Sequence, residues 1–161
     1  MKLRVSVVIV FLAVVVVPFA LADDDKDDKQ TVTGHVDIAS LNINKYSFAA
    51  INHGNGRFSG QFEFEQTRGN ITLRVHGSVD CVAVIGNRAR LGGTVRHTSD
   101  PDIFPIGTQF IWSVTDNGEG NKDAPDTASE LRGGNAFAYC LGGLSFPDEA
   151  PLRRGNVQVR P

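Results

Sequence analysis

The sequence predicts an all-β fold, a small antiparallel β-barrel of about eight strands with one disulfide, and a β-sandwich is the alternative. Apolar and polar residues alternate with a period of two through most of the chain, without a long apolar stripe of helical spacing. Short turns rich in glycine and asparagine separate these segments, which is typical of hairpins. Gly92 and Gly93, inside one strand, predict a bulge or bend of the kind that curls a sheet into a barrel.

The clearest strand covers residues 57–66, where two faces separate by alternation. Phe58, Phe62 and Phe64 share one face, and Glu63 and Glu65 share the other. We expect the phenylalanine face to be buried and the glutamates to face solvent. The remaining predicted strands cover residues 32–38, 46–51, 71–76, 79–85, 88–97, 108–115, 136–141 and 156–160.

Three local features refine this assignment. Gly77 and Ser78 predict a break between two strands. Residues 79–85 form a nearly continuous apolar run, which indicates a strand covered on both faces. Residues 126–131 predict a short helical turn within a long turn-rich segment.

The start of the chain has the pattern of an export signal. Lys2 and Arg4 precede a long apolar run, which ends in the small-x-small site Ala20-Leu21-Ala22. We therefore predict a cleaved signal peptide at 1–22, with an uncleaved membrane anchor as the alternative, and a secreted or periplasmic protein. Residues 23–31 are predicted to be a disordered acidic tail, and 32–161 a single β domain.

Charge and cysteine content limit the partners and the compartment. The chain has 16 basic and 18 acidic residues, so removal of Lys2 and Arg4 leaves 14 against 18, a net charge of −4. The acidic tail carries most of this charge, and a nearly neutral body argues against nucleic acid as a partner. Cys81 and Cys140 predict one disulfide. The alternative, a reactive or metal-binding thiol pair, lacks further cysteine or histidine at ligand spacing.

An acidic, glycine-rich loop follows the strand that carries the single tryptophan. Its hard oxygen ligands predict a calcium site formed by Asp116, Glu119 and Asp123, although the spacing does not match an EF-hand. The alternative is a surface turn whose side chains bond their own backbone. No other cofactor is predicted. The predicted binding residues are Trp112, Asp116, Asn117, Glu119 and Asp126.

The aromatic residues allow two interpretations. Trp112 and the phenylalanines at 58, 62, 64, 104 and 110 either line an apolar pocket or form the core. An eight-stranded barrel is compatible with both, because its interior is either filled by side chains or holds one small ligand.

Catalytic patterns are sparse. None of the four histidines, His35, His53, His76 and His97, belongs to a metal-binding motif. A zinc site would need His35, His76 and His97 to converge from neighbouring strands. The pairs Asp116/Glu119 and Glu63/Glu65 resemble two-carboxylate hydrolase sites, although any polar strand face produces the second pair. The sequence contains no nucleophile elbow, no P-loop and no dinucleotide-binding motif.

The central part of the chain, residues 76–126, resembles a family of small exported bacterial β-proteins with no assigned activity. The matching segments are VHGSVDCVAVIGNRARLGGTV, FIWSVTDNGEG and the later APD. The resemblance implies secretion and a β fold, and it supplies no catalytic residues.

These observations favour a non-catalytic binding module for a small ligand, a glycan or a surface protein. The alternative is an extracellular hydrolase or isomerase that uses acidic-loop carboxylates with a strand histidine. A structural envelope protein without a ligand is a third interpretation, and the oligomeric state is left open. A histidine within hydrogen-bonding distance of the acidic loop, inside a concave pocket, would favour the enzyme.

Overall fold

A computed structural model describes residues 29–39, 45–119, 123–142 and 148–161. The predicted signal peptide at 1–22 and residues 23–28 of the predicted acidic tail lie outside these ranges. The described elements are, in chain order, β1 (Gln30–Ile38), β2 (Lys45–Asn52), β3 (Phe58–Arg68), β4 (Ile71–Ile85), β5 (Arg88–Thr98), β6 (Gln109–Thr115), β7 (Thr127–Ala128), β8 (Arg132–Gly133), α1 (Ala136–Leu141) and β9 (Ala150–Arg160).

The strands form a closed barrel. Each strand from β1 to β6 pairs in antiparallel fashion with the next one along the chain. β7 pairs with β6, and β9 lies between β7 and β1, so that the sheet closes on itself. β8 is an additional short strand on β6. The predicted barrel of about eight strands is confirmed, and the sandwich alternative is not.

Apolar side chains fill the interior, as the alternation on β3 predicts. Phe62 and Phe64 are each 2% exposed, whereas Glu63 and Glu65 face solvent. Phe58 was expected to be buried with them but is only partly buried. It is the first residue of β3. It packs against the barrel core and against a smaller buried cluster that contains Cys81 and Cys140.

Two β-bulges curve the β4–β5 hairpin. One lies on β4 at Asp80, opposite Gly92 and Gly93, where the glycine pair predicted a bulge. The other lies on β5 at Arg96, opposite Gly77. β4 runs unbroken through Gly77, so the predicted strand break there is wrong. Bulges bend a strand without ending its pairing.

Residues 136–141 were predicted to be a strand and form the helix α1 instead. The Asn135 side chain caps this helix by accepting a hydrogen bond from a first-turn backbone N–H. The helix packs on the outer face of β4 and β5, where Gly92 leaves room. A Cβ at Gly92 would lie 2.6 Å from the Cβ of Ala136. Six residues are too few to separate helical from strand periodicity in the sequence.

The predicted disulfide joins β4 to this helix. Cys81 and Cys140 are buried, and their sulfur atoms lie 2.07 Å apart. The helix covers the outer side of the strand at Cys81 and Ala83, as expected for a strand buried on both faces. Ile85, at the end of the predicted run, is exposed instead. A buried disulfide indicates an oxidising environment, extracellular or periplasmic. The described residues contain no helix that is long and apolar enough to cross a membrane.

Three larger differences from the predictions remain. Residues 126–131 contain the strand β7 instead of a helical turn, because this segment pairs with β6 in antiparallel fashion. There the backbone N–H of Ser129 donates to the carbonyl of Ser113 over 2.9 Å. β1 begins at Gln30, inside the predicted tail, because Gln30 pairs with Asn52 on β2. The closing strand β9 begins at Ala150, well before the predicted residue 156.

Candidate functional site

Trp112, predicted to contact a ligand, lies in the middle of the barrel core. It is completely buried, with the rings of Phe62, Phe48 and Tyr46 at centroid distances of 5.4, 5.8 and 6.4 Å. The Tyr46 hydroxyl donates to the carbonyl of Ser129 over 2.6 Å, and burial raises the pKa of Tyr46 well above its ordinary value. Aromatic side chains therefore fill the centre of the barrel, and Trp112 has no exposed surface to offer a ligand.

Asp116 and Asp126 attach the acidic loop to β9. Asp126 is 6% exposed, and its two carboxylate oxygens accept the backbone N–H groups of Val157 at 2.8 Å and Asn117 at 2.9 Å. Asp116 accepts the backbone N–H of Val159 over 3.0 Å. β9 pairs with β7 over only two residues. Further along β9, the two carboxylates accept backbone N–H groups that the carbonyls of a neighbouring strand would otherwise accept. This junction between β9 and the acidic loop is called the seam below.

The other predicted loop residues lie beside the same seam. The Asn117 amide donates to the carbonyl of Pro125 over 2.9 Å. Glu119 is exposed and accepts from the side-chain amide of Gln158 over 2.6 Å. Asp123 is also exposed. A concavity of about 400 Å³ lies between this loop and β9.

The calcium site predicted from Asp116, Glu119 and Asp123 stays a prediction. Residues 120–122, inside this loop, lie outside the described ranges. In the part of the chain that is described, no three His, Cys, Asp or Glu side chains are grouped so as to hold a metal ion. Asp116 already accepts backbone hydrogen bonds through both carboxylate oxygens.

Among the described residues, no histidine side chain contacts a carboxylate of the acidic loop. His35 comes nearest, because it is paired with Asn156 on β9, whose side-chain amide donates to Glu119 over 3.4 Å. His76 on β4 and His97 on β5 occupy directly opposite positions. His35 lies on β1, with β2 and β3 between it and β4, so the three do not converge. The ring of His53 contacts the hydroxyl of Ser59 over 2.9 Å. Among the described residues, the imidazole that meets a carboxylate is that of His76, whose partner is Glu63 rather than a loop residue.

A large concavity lies on the outer face of the barrel, across β2 to β5. Its volume is about 680 Å³. A second concavity of about 410 Å³ adjoins it towards β1 and shares some of its lining. The polar side chains that line the larger concavity include those of Ser47, Gln61, Glu63, His76, Arg96 and His97.

Glu63 connects three of these strands. Its carboxylate accepts from the Ser47 hydroxyl over 2.9 Å and lies 3.4 Å from Nδ1 of His76. The hydroxyl therefore meets the carboxylate and not the imidazole, which is unlike a serine–histidine nucleophile pair. Glu65, the predicted second carboxylate of a hydrolase pair, accepts instead from Arg74 over 2.7 Å.

Both bulge residues belong to one polar network at the edge of this concavity. Arg96 donates from Nε to the Ser78 hydroxyl over 2.9 Å, and its guanidinium lies 3.6 Å from the Asp80 carboxylate. Asp80 also accepts from the hydroxyls of Ser78 and Thr94. The network fixes the position of Arg96. The break in alternation at Arg96 and His97 is the sequence signal that points to this bulge.

A second polar cluster, which the sequence analysis missed, surrounds Glu149. The carboxylate accepts from the hydroxyls of Thr115 over 2.6 Å and Thr127 over 2.5 Å, and from Arg88 over 3.1 Å. Burial acts to raise the pKa of Glu149, but hydrogen bonds from Thr115, Thr127 and Arg88 outweigh burial and lower that pKa. The carboxylate is therefore charged and holds the start of β9 against β6 and β7.

Tyr139 on α1 lies beside this cluster. The Arg90 guanidinium lies 5.9 Å from the centre of its ring. Burial raises the pKa of Tyr139 to about 12, although the Arg90 charge acts in the opposite direction. Tyr139 and Arg90 are 1% and 7% exposed. Because both side chains are buried, Tyr139 and Arg90 form a contact between the helix and the barrel and offer no surface to a ligand.

No protein-family model, no curated protein and no solved structure matches this chain. The family resemblance of residues 76–126 therefore stays a prediction. A barrel fold alone does not indicate an activity.

Proposed function

We propose that this protein is an exported, non-catalytic binding module that holds a neutral, hydroxyl-rich ligand such as a glycan unit on the outer face of β2 to β5. The observation that carries the proposal is the concavity of about 680 Å³, which lies within the range of small-molecule sites. The packed aromatic core supports an outer site over one inside the barrel.

The chemistry of the lining favours a polyhydroxyl ligand. Glu63 is an acceptor, Arg96 is a donor, and the amide of Gln61 and the hydroxyl of Ser47 can do both. Sugar hydroxyls also donate and accept, so they match a surface on which both kinds of group alternate. The charges of Arg96 and Asp80 are paired, which favours a neutral ligand over a strongly charged one.

Export is the second part of the proposal. The signal pattern of residues 1–22 would place the cleaved protein outside the cytoplasm, and the oxidising environment that the disulfide indicates is consistent with this.

The alternative, a hydrolase or isomerase that uses the acidic loop, is less well supported. Asp116 and Asp126 accept backbone hydrogen bonds at the barrel seam. The carboxylate–imidazole pair that the described residues offer is Glu63 and His76, whose side chains are 59% and 58% exposed. Acid–base chemistry is better served by a site that excludes water.

The test is NMR titration of the protein without its leader, in the presence of a chelator, with a panel of neutral disaccharides. We expect saturable shifts of backbone amides at 61–63, 76–78 and 96–97. Arg96→Gln should weaken binding at least tenfold, whereas Arg160→Gln, an exposed control on β9, should not. Shifts confined to the acidic loop and β9, or none that saturate, would reject the site. Cleavage of a disaccharide would favour the enzyme.

A further inference from the structure

We propose that His76 and His97 form a two-imidazole site for a divalent transition metal ion, such as Zn²⁺ or Cu²⁺, in the outer concavity. This inference rests on the proposed function and narrows it, since the bound metal would supply part of the ligand-binding surface.

The sheet register brings the two imidazoles together. His76 and His97 are directly paired on neighbouring antiparallel strands, and both line the concavity. Opposite residues of such a pair have Cβ atoms about 4.5–5.5 Å apart. Two imidazoles at that separation can both reach one metal ion at about 2.0–2.1 Å. Both side chains are exposed, so an ion can enter without rearrangement of the core.

Glu63 prepares His76 to act as a ligand. Its carboxylate lies 3.4 Å from Nδ1 of His76 and also accepts from Ser47. A proton on Nδ1 that faces Glu63 leaves Nε2 with a free lone pair directed away from it. Metal-binding histidines commonly have such a carboxylate on their other nitrogen. Among the described side chains, none forms a hydrogen bond or ion pair with the ring of His97, which leaves its nitrogens available.

The surrounding charge permits a cation. Arg96 and Arg74 are positive groups near His76, and each is paired with a carboxylate, Arg96 with Asp80 at 3.6 Å and Arg74 with Glu65 at 2.7 Å. With neutral imidazoles, the carboxylate of Glu63 leaves the local charge negative. Nitrogen ligands favour zinc, copper or nickel over calcium.

Two protein ligands leave several coordination positions open. The remaining positions would be filled by water or by hydroxyls of the bound ligand, because the described residues offer no group of three metal-binding side chains. Such a site holds its metal less firmly than a closed structural site and lets the metal take part in recognition.

The experiment is isothermal titration of the chelator-treated, leader-free and tag-free protein with zinc chloride, repeated with copper chloride. We expect one ion per chain. His76→Gln and His97→Gln should each lower the affinity at least tenfold, and Glu63→Gln should lower it about tenfold through its effect on His76. His35→Gln and His53→Gln are matched controls and should leave the affinity unchanged. With copper, electron paramagnetic resonance should show coupling to two imidazole nitrogens.

No binding up to millimolar metal, or an affinity that neither His76→Gln nor His97→Gln changes, would overturn the inference. Equal losses in the His35→Gln control would do the same. The disaccharide titration separates this outcome from failure of the proposed function, because it is run with chelator present. Disaccharide binding without metal binding removes the metal site alone. Metal binding without any disaccharide response, either with chelator or with zinc present, removes the proposed glycan function.

Discussion

Asp126 provides the most direct test of how the barrel closes. Replacement with alanine removes the acceptor of two backbone N–H groups, those of Val157 and Asn117, at a residue that is 6% exposed. Hydrogen bonds to a charged group contribute about 1.5–3 kcal/mol each, and relief of the buried carboxylate offsets part of the loss. We therefore expect Asp126→Ala to lower the free energy of unfolding by about 3–5 kcal/mol.

Urea unfolding of the oxidised protein, followed by Trp112 fluorescence, measures this change by linear extrapolation. Glu119→Ala is the matched control, because this carboxylate lies in the same loop but is exposed and bonds side-chain amides. It should cost no more than about 1 kcal/mol. Asp126→Asn retains one acceptor oxygen and should fall between the two. Equal losses for Asp126→Ala and Glu119→Ala would refute the assignment of Asp126 to the seam.

Three further predictions follow from the contacts described above. The lowered pKa of Glu149 means that its stabilisation is fully present above the unfolded value near 4.5 and is lost as pH falls through the lower folded pKa. The free energy of unfolding should therefore fall less steeply below pH 4.5 in Glu149→Gln than in the unsubstituted protein. An acid titration with the same profile for both proteins would contradict this. Phe62→Ala should cost about 3–5 kcal/mol in urea unfolding, whereas Glu63→Ala should stay within about 0.5 kcal/mol; equal costs would mean that the strand faces are misassigned. Millimolar calcium should raise the melting temperature by several degrees if the acidic loop binds it, and identical curves with calcium and with chelator would end that prediction.

The residues whose structure follows from local pattern were predicted well. The alternation at Phe62, Glu63 and Phe64 assigned the two faces of β3, because successive side chains on a strand point in opposite directions. The glycine pair at 92–93 located a bulge, since such a pair weakens regular pairing. The short helix α1 was missed, because its place is set by the disulfide and by packing against Gly92 rather than by its own periodicity.

The candidate site was predicted less well. Trp112 stood out because it is unique and adjoins an acidic loop, but an inward-facing strand position makes it part of the core. The acidic loop stood out for its oxygen content, yet Asp116 and Asp126 accept backbone hydrogen bonds that only the neighbouring strand β9 can donate. The sequence does not show which strand will lie beside such a loop.

By itself, the sequence determined the all-β class, the single disulfide and the inward and outward faces of the clearest strand. Each depends on alternation, turn chemistry or cysteine number, which are properties of neighbouring residues or of composition. The tertiary structure decided which strands adjoin, and therefore that His76 faces His97 and Glu63 while His35 does not. In a hairpin, the register follows the turn and the alternation of the strand faces. The bulges at Asp80 and Arg96 shift that register along β4 and β5, and β9 closes the barrel by pairing with β1 and β7, so that residues far apart in the chain meet.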